Sequence, residues 1–332
     1  MAVLDKTTGK ANLEVFAETL ETLAKADKNI VAVTSDSRGS GKLTPFGQKF
    51  PKQIIEVGIA EQNLVGVAAG LASTGKKVFA VSPACFLTAR ALEQIKNDVA
   101  YSDNPVNLIG ISAGVSYGAL GTTHHSLHDF AVLRAINNLI VVAPADAFET
   151  EQAIRQAASL DKPVYIRFGK KNMPLLPPDT EGGKFEFGKG RIIRNGNDLT
   201  LMATGETVQP ALDAAEKLSK KHGLEAKVVS MHTIKPLDVA LISDIAAEGQ
   251  PIITVEEHIV NGGLGEAIAS FLMQNGFRNA FKIMGIPDEY TVTGSQGDIF
   301  KHYGLSEKGI ANEALNILEK HPLSERSPLD SI

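Results

Sequence analysis

Short, continuous apolar segments alternate with helical patterns along the first half of the chain. Five of them are NIVAVTSD (29–36), KKVFAVS (76–82), PVNLIGIS (105–112), LIVVAP (139–144) and KPVYIRF (162–168). Continuous runs of Val, Ile and Leu are typical of strands that are buried on both faces of a parallel sheet. The sequence therefore predicts an α/β domain of three layers, with helices on both faces of a mainly parallel sheet.

A change of composition near residue 174 predicts a second domain. Several Pro, Gly and charged residues lie between 174 and 190, a composition typical of a linker. A further alternating set follows, with apolar strands at 198–205, 226–232 and 250–258, and it predicts a smaller three-layer α/β domain. The predicted boundaries are 1–173 for the first domain, 174–190 for the linker, 191–322 for the second domain and 323–332 for a polar tail.

The overall charge and the cysteine count exclude several classes of protein. The 332 residues carry a net charge of −5, which favours neither nucleic acid nor an anionic membrane as a partner. The single cysteine, Cys85, allows no internal disulfide and fits a reducing compartment. The first twenty residues lack the apolar core of a signal peptide. We therefore expect a cytoplasmic protein that binds neither membrane nor nucleic acid.

One acid stands at the start of a segment that is otherwise small and apolar. In EVGIAEQNLVGVAAGLA (56–72), Gly58 follows the end of a predicted strand, and Glu61 lies in the first turn of the predicted helix. A carboxylate at this place can lie at the surface and complement the positive end of the helix dipole. Buried among apolar neighbours, it would instead need a hydrogen-bonding partner, and such acids are usually functional.

Three histidines and an aspartate are concentrated in GALGTTHHSLHDF (118–130). If this segment is helical, His124 and His128 share a face, with the spacing of a metal-binding pair. If it is a flexible glycine-containing loop, it delivers an imidazole into a cleft for proton transfer or for binding a hydroxyl group. Helix capping or a surface position is the third interpretation, and spacing alone does not choose among the three.

Two further segments have a functional and a structural interpretation. The segment 84–100 predicts a helix running from Phe86 to Tyr101, with Phe86 and Arg90 on one face, where the ring either stacks on a flat ligand or packs in the core. The glycine cluster at 262–265 lacks the third glycine and the acid of the dinucleotide-binding motif. It therefore predicts a tight turn and close helix packing.

Taken in order, seven segments resemble the C-terminal half of transketolase and the similar half of 1-deoxyxylulose-5-phosphate synthase, both enzymes that depend on thiamine diphosphate. The resemblance covers nearly the whole chain, and its strength lies in the order of the motifs. The segments are VGIAEQN…AAGLA, FLTARALEQIKNDVA, GTTHHSLHD…LRAI, VVAPADAFET, KPVYIRFGKKN, ATGETVQPALDAAEKL and VEEHIVNGGLGEA.

The resemblance implies roles for residues that match the family's motifs. Glu61 matches the glutamate that hydrogen-bonds a ring nitrogen of the cofactor's aminopyrimidine and shares a proton with it. Either Phe86 or Leu87 is expected to pack on that ring, because a shift of one residue exchanges them. His124 matches the histidine that handles the proton of a substrate hydroxyl. Two other matches are to cofactor-site positions: Arg90, as in the synthases, and Asp36, as an acid near a subunit interface.

Half of the family's active site is missing from this chain. The family holds the diphosphate and Mg²⁺ with a G-D-G motif followed by Asn on a separate N-terminal domain, and Gly297-Asp298 does not match it. The resemblance therefore implies a split transketolase, whose second polypeptide holds Mg²⁺ and the diphosphate. Two copies of each chain and self-association are expected, and no metal site is expected in this chain.

Several positions depart from the transketolase pattern. Leu120 stands where an Asp contacts the donor sugar, Ser112 stands where a further active-site histidine is usual, and Lys170 replaces the arginine that grips the substrate's phosphate. Replacing arginine by lysine exchanges a guanidinium, which can donate two parallel hydrogen bonds, for an ammonium that acts as a point charge. These departures suggest an unusual ketose, branched or sulfonated. Residues of DSRGSGK are expected to contact its anionic group, namely Arg38, Ser40 and Lys42.

The leading functional hypothesis is transfer of a two-carbon ketol unit from a ketose to an aldose by thiamine ylide chemistry. The first alternative is the β subunit of a 2-oxoacid dehydrogenase E1 component, against which the GTTHH loop and the synthase-like helix argue. The second is a non-catalytic α/β binding subunit. A neighbouring gene with the G-D-G…N pattern favours transketolase, whereas a neighbouring lipoyl-domain protein favours the dehydrogenase.

Overall fold

The computed structural model describes residues 9–180, 182 and 184–321. The predicted tail (323–332) and the first eight residues lie outside the described part, as do two linker residues. The strands are β1 (Ile30–Thr34), β2 (Ile54–Glu56), β3 (Lys77–Pro83), β4 (Val106–Ile111), β5 (Ile140–Val142), β6 (Val164–Phe168), β7 (Arg191–Arg194), β8 (Leu199–Ala203), β9 (Ala226–Ser230), β10 (Thr233–Lys235), β11 (Ile252–Ile259) and β12 (Phe281–Ile286).

Helices connect most of these strands. They are α1 (Asn12–Ala26), α2 (Thr44–Lys49), α3 (Glu61–Ala72), α4 (Ala84–Arg90), α5 (Leu92–Gln94), α6 (Asp129–Arg134), α7 (Ala147–Ser159), α8 (Val208–His222), α9 (Val239–Ala247), α10 (Leu264–Gln274), α11 (Gln296–His302) and α12 (Glu307–Lys320). Within the described ranges, no helix is both long and apolar enough to cross a bilayer.

The first sheet has seven strands in the order β10-β5-β6-β4-β3-β1-β2. Its strands β1 to β6 are parallel, as the continuous apolar runs predict. The last strand, β10, is antiparallel to β5 and comes from the second half of the chain. This crossover is not evident from the sequence, because β10 has only three residues. It ties the two halves of the chain together.

The second sheet has five strands in the order β12-β11-β8-β9-β7. Four of them are parallel, and the edge strand β7 is antiparallel to β9. The mainly parallel α/β architecture expected for both halves is therefore confirmed. The sequence analysis predicts neither β7 nor β12. Strand β7 has no usable pattern, since it is only four residues long with an arginine at each end.

Apolar clusters fill both faces of the first sheet. One face packs against α1 and α7, with Phe16, Leu20 and Ile154 fully buried. The other face is covered by α3, α4 and α6, whose buried side chains include Leu64 and Leu87. Full burial of such a side chain is worth roughly 1.5–3 kcal/mol, so these contacts fix the helices that carry the site.

The helix predicted from Phe86 to Tyr101 is broken in the structure. It ends as an α-helix at Arg90, and residues Ile95–Tyr101 form wider π-helical turns after α5. Wide turns of this kind are rare and occur often near functional sites. The break leaves Arg90 in the last turn of α4, at the same edge of the sheet as the start of α3.

Candidate active site

Five loops of the candidate site follow strands that are neighbours in the first sheet. Strands β6, β4, β3, β1 and β2 are adjacent and parallel, so their carboxyl ends lie along one edge. Ligands of open α/β sheets bind outside this edge. The expected site residues that follow these strands are Lys170 (β6), Ser112 and His124 (β4), Phe86, Leu87 and Arg90 (β3), Asp36, Arg38 and Ser40 (β1), and Glu61 (β2).

The carboxylate of Glu61 is buried at the start of α3. The turn before it uses Gly58 at φ 74°, and Glu61 is only 3% exposed. Its partner is Arg90, whose Nη1 donates to both carboxylate oxygens at 3.0 and 2.9 Å. Arg90 itself is about half exposed. The interpretation of Glu61 as a solvated helix-end charge is therefore wrong, because the side chain is sheltered and paired.

The Phe86 ring joins Glu61 and Arg90 to the histidine loop. The Arg90 guanidinium carbon lies 4.4 Å from the ring centroid of Phe86, and the His124 ring meets Phe86 edge-on at 5.3 Å. Phe86 is partly exposed, whereas Leu87 is fully buried in the core. Of the two positions that the sequence leaves open, only Phe86 presents a surface to a ligand.

The segment 118–130 is mostly a loop. His124 lies in a turn, partly exposed, and its Nδ1 is 3.0 Å from the Thr123 hydroxyl. His125 is buried between Thr291 and the Gly118 carbonyl, and His128 directly precedes α6. The helical interpretation, in which His124 and His128 share a face, is therefore wrong. Among the described residues, no cluster of three His, Cys, Asp or Glu could hold a metal ion.

Tyr117 connects the histidine to Lys170. Its ring meets His124 edge-on at 5.4 Å, and the Lys170 ammonium lies 4.3 Å from its centroid. Burial and the neighbouring Lys42 charge lower the pKa of Lys170. The sequence analysis did not single out Tyr117. In the sequence, Tyr117 is a single aromatic residue between two glycines near the His cluster. This pattern is too weak to identify it as a site residue.

The remaining expected residues lie at the same edge but make other contacts. Ser112 is fully buried, with φ 54°. Asp36 is exposed and donates its backbone N–H to Glu56. Ser40 donates to the Ser37 carbonyl at 3.2 Å. The Arg38 side chain packs against Gly47 of α2.

The glycine cluster at 262–265 surrounds a buried acid. The N–H groups of Leu264 and Gly265 donate to Glu256, and a side chain at Gly263 would overlap the Glu256 carboxylate. A side chain at Gly265 would collide with Ile283. The prediction of a tight turn with close helix packing is therefore confirmed at this place.

The residues at this edge fit one end of thiamine diphosphate. A sheltered carboxylate beside an accessible aromatic ring suits an aminopyrimidine, which offers a ring nitrogen and a flat face. Residues suited to Mg²⁺ would be clustered oxygen ligands, and the described part of the chain contains no such cluster of acids. The described residues therefore fit the pyrimidine end of the cofactor.

Comparison with known proteins identifies the family. Residues 9–175 match the model for "Transketolase, pyrimidine binding domain", and residues 188–310 match that for "Transketolase, C-terminal domain". The chain belongs to the transketolase family.

Within the transketolase family, the chain is similar to the following individual proteins. The chain is 48% identical to a subunit of the apulose-4-phosphate transketolase of Phocaeicola vulgatus, over 92% of this chain and 96% of that one. It is 37% identical to a 1-deoxy-D-xylulose-5-phosphate synthase of Heliobacterium modesticaldum, covering 92% of this chain but 47% of the synthase. A solved split-gene transketolase, described as an inactive β4 tetramer, matches with a TM-score of 0.82 and 33% identity, over 94% of this chain and 99% of that chain.

Proposed function

We propose that this chain is the C-terminal subunit of a split transketolase, a transferase that moves a two-carbon ketol unit from a ketose to an aldose. The observation that carries the proposal is the contact series Glu61–Arg90–Phe86–His124–Tyr117–Lys170 at the carboxyl edge of the first sheet. It places a carboxylate, an aromatic face, an imidazole and a cation side by side. The matched relatives are transketolases and synthases, which favours this function over a dehydrogenase subunit.

Glu61 and Phe86 act on the pyrimidine end of the cofactor. Thiamine diphosphate, when bound, supplies a carbon nucleophile and an electron sink for cleavage next to a carbonyl. Glu61 hydrogen-bonds a ring nitrogen and shares a proton with it, for which its burial is suited. Phe86 packs on the face of the ring. In the chain alone Arg90 donates to both oxygens of Glu61, so this ion pair would compete with a ring nitrogen of the cofactor for the carboxylate.

His124 and Lys170 act on the sugar. His124 is partly exposed, and its imidazole can accept or donate the proton of a substrate hydroxyl. Lys170, with Lys42 near enough to lower its pKa, provides positive charge for a phosphate or a related anion. Arg38 and Ser40 lie on the neighbouring loop and supply further anion contacts. Ser112 contributes by supporting this wall, since it is fully buried.

A partner subunit completes the site. It carries the diphosphate and Mg²⁺, and two copies of each chain form the active assembly, with Asp36 near the boundary. The matched tetramer of a split transketolase is described as inactive, which agrees with a requirement for a second subunit. We assign the domains to 1–173 and 191–322 with a linker at 174–190. The reaction takes place in the cytoplasm, consistent with the one buried, unpaired cysteine.

The donor we propose is a ketose phosphate of the kind named for the Phocaeicola relative, apulose 4-phosphate. Lys170 in place of arginine and Leu120 in place of aspartate remove two contacts to the usual donors. Leu120 is 55% exposed beside the histidine loop, so it offers an apolar surface where an acid would bind hydroxyls.

Reconstitution tests the proposed function. The purified chain with thiamine diphosphate and Mg²⁺ should show no ketol transfer, and the subunit encoded by a neighbouring gene with the G-D-G…N pattern should restore it. Apulose 4-phosphate, ordinary pentose phosphates and sugar sulfonates are compared as donors. Activity of the chain alone, or reconstitution only with a lipoyl-domain protein, would contradict the proposal.

A further inference from the structure

Two loops of the candidate site are held by acids from the second half of the chain. The Val115 N–H, in the loop that carries Tyr117, donates to Oε1 of Glu257 at 2.9 Å. The Gly169 N–H, directly before Lys170, donates to Oε1 of Glu206 at 3.0 Å. Both acids are at least 94% buried. The main chain of each loop is therefore hydrogen-bonded to a carboxylate of the other domain.

One amide side chain joins the two acids. Gln296, the first residue of α11, donates from Nε2 to Glu206 at 2.8 Å and to Glu257 at 2.9 Å. The three residues are far apart in sequence, yet they form one connected group, which we call the Glu206–Gln296–Glu257 clamp. Its four hydrogen bonds reach both loops at once.

Glycines allow the loops to approach the clamp. A side chain at Gly114, which has φ 59°, would overlap the carboxylate of Glu257. A side chain at Gly169 would overlap the carboxylate of Glu206. Each loop thus presents bare backbone to its acid, so the acid fixes the position of the main chain itself.

The electrostatics of the clamp disfavour two charged acids side by side. Burial raises the pKa of both acids, and the Glu206 carboxylate raises that of Glu257 further. The charges that face them act in the opposite direction, Arg167 on both acids and Lys171 on Glu206. A buried polar group of this kind is costly unless all its members are bonded. Its presence between two domains calls for a role beyond stability.

We infer that Glu206, Gln296 and Glu257 are positioning residues, which place Tyr117 and Lys170 for the anionic end of the sugar. The inference rests on the proposed role of Lys170. Tyr117 is two residues from the Val115 anchor and Lys170 is one residue from the Gly169 anchor, and the Lys170 ammonium stands 4.3 Å from the Tyr117 ring. The C-terminal domain thereby sets the affinity for the donor without touching it.

Hydrogen exchange of the full chain tests the clamp directly. In Gln296→Leu, which keeps the side-chain size but removes the amide, exchange of the Val115 and Gly169 amides should rise roughly tenfold or more. Glu257→Gln keeps an acceptor for Val115 and should change it less. Lys301→Gln, on the exposed side of the same helix, is the matched control. Unchanged protection in Gln296→Leu would overturn the clamp.

Kinetics of the reconstituted complex test the positioning role. Gln296→Leu should raise KM for a phosphorylated donor roughly tenfold, with kcat and the KM of an unphosphorylated ketose nearly unchanged. Equal effects on both donors would overturn the role of the clamp in anion binding. If the wild-type complex shows no ketol transfer, the proposed function fails. The Kd of the full chain for inorganic phosphate then decides, since weaker binding in Gln296→Leu supports the inference and unchanged binding refutes it.

Discussion

Arg90 contacts both groups that the proposed complex would present to the cofactor. Its guanidinium donates to both oxygens of Glu61 and lies over Phe86, so it holds the two groups that the cofactor requires. An ion pair in which one guanidinium nitrogen donates to both oxygens of a sheltered carboxylate is a favourable contact, although the exposed half of Arg90 weakens it by solvent screening. In the proposed complex, Arg90 would therefore compete with the cofactor for Glu61.

Replacing Arg90 separates its effect on the stability of the chain from its effect on binding of the cofactor. We expect Arg90→Gln to lower the free energy of unfolding of the chain by about 1 kcal/mol, because the buried carboxylate loses a charged partner. The same change should lower the Kd of the reconstituted complex for thiamine diphosphate, since no guanidinium has to be displaced. Arg155→Gln, in an exposed pair with Glu151, is the control. A weaker affinity for the cofactor would show that Arg90 assists binding.

Substitutions of Lys170 test whether this residue binds the anionic group of the donor. We expect Lys170→Met to raise KM for a phosphorylated donor roughly 10- to 100-fold, with a smaller change in kcat, because one charge-assisted contact is lost. Lys170→Arg should retain or improve binding, since a guanidinium suits phosphate. Lys220→Met changes an exposed lysine of α8 and serves as control. A KM that does not change in Lys170→Met would remove Lys170 from the site.

The structure brings some of the residues predicted from sequence into contact with one another, whereas others make separate contacts. Four different strands are followed by Glu61, by Phe86 and Arg90, by His124 and by Lys170. These residues still form one contact series, because parallel strands bring their carboxyl ends together. Tyr117 is absent from the prediction, since nothing in its local pattern marks it. The choice between Phe86 and Leu87 needed burial, which depends on the path of the helix and not on a motif.

At the scale of elements, α3 carries glycines on its exposed face. Gly66 and Gly70 are one turn apart, and a side chain at either would meet nothing within 4 Å in this chain. Glycine inside a helix costs about 1 kcal/mol relative to alanine. Their presence is explained if another backbone packs against α3 in the assembly, next to the exposed Ile59.

Two substitutions test this explanation of α3. Gly70→Ala should raise the free energy of unfolding of the chain by about 0.5–1 kcal/mol, because the helix gains a better helix former without a clash. Gly70→Arg should leave the fold of the chain intact, as judged by far-UV circular dichroism, and should prevent activity on mixing with the partner. Full reconstitution by Gly70→Arg would show that this face of α3 stays free.

The elements also show where sequence patterns fail. The long buried strands of both sheets follow from continuous apolar runs, whereas β7 and β10 have four and three residues and carry no usable pattern. The helix expected over 86–101 breaks at Ala91, and after the short α5 the main chain widens into π-helical turns from Ile95. Periodicity describes a helix face, but it does not report a local change in winding.

At the scale of the whole molecule, buried acids and histidines make stability depend on pH. Burial raises the pKa of Glu257 to about 8 and that of Glu256 to about 7, and it lowers the pKa of His258 to about 4. The acids bind more protons in the folded chain, so their stabilisation is lost as pH rises through these values. The neutral His258 favours folding above its unfolded pKa of 6.5, and this contribution is lost as pH falls towards 4.

These opposing contributions predict a decline on the alkaline side. Between pH 6.5 and 8 each buried histidine adds only about 0.4 kcal/mol of stability, as its unfolded form loses its remaining proton. The acids therefore dominate, and the free energy of unfolding should fall with rising pH, by at most about 2 kcal/mol for Glu257. Glu257→Gln should flatten this decline. Urea unfolding followed by far-UV circular dichroism measures it, since the chain has no tryptophan. A wild-type stability that rises from pH 6.5 to 8 would contradict the assignment of protonated acids between the domains.

The central claim for the molecule is that Glu61 activates a cofactor whose other end is held by a partner. Exchange of the C2 proton of thiamine diphosphate with deuterium, measured on the reconstituted complex in heavy water, reports this step without any sugar. The account predicts rapid exchange in the wild-type complex. Glu61→Gln should reduce it towards the rate of the free cofactor, while thiamine diphosphate still binds. Undiminished exchange in a folded, cofactor-bound Glu61→Gln complex would contradict the account.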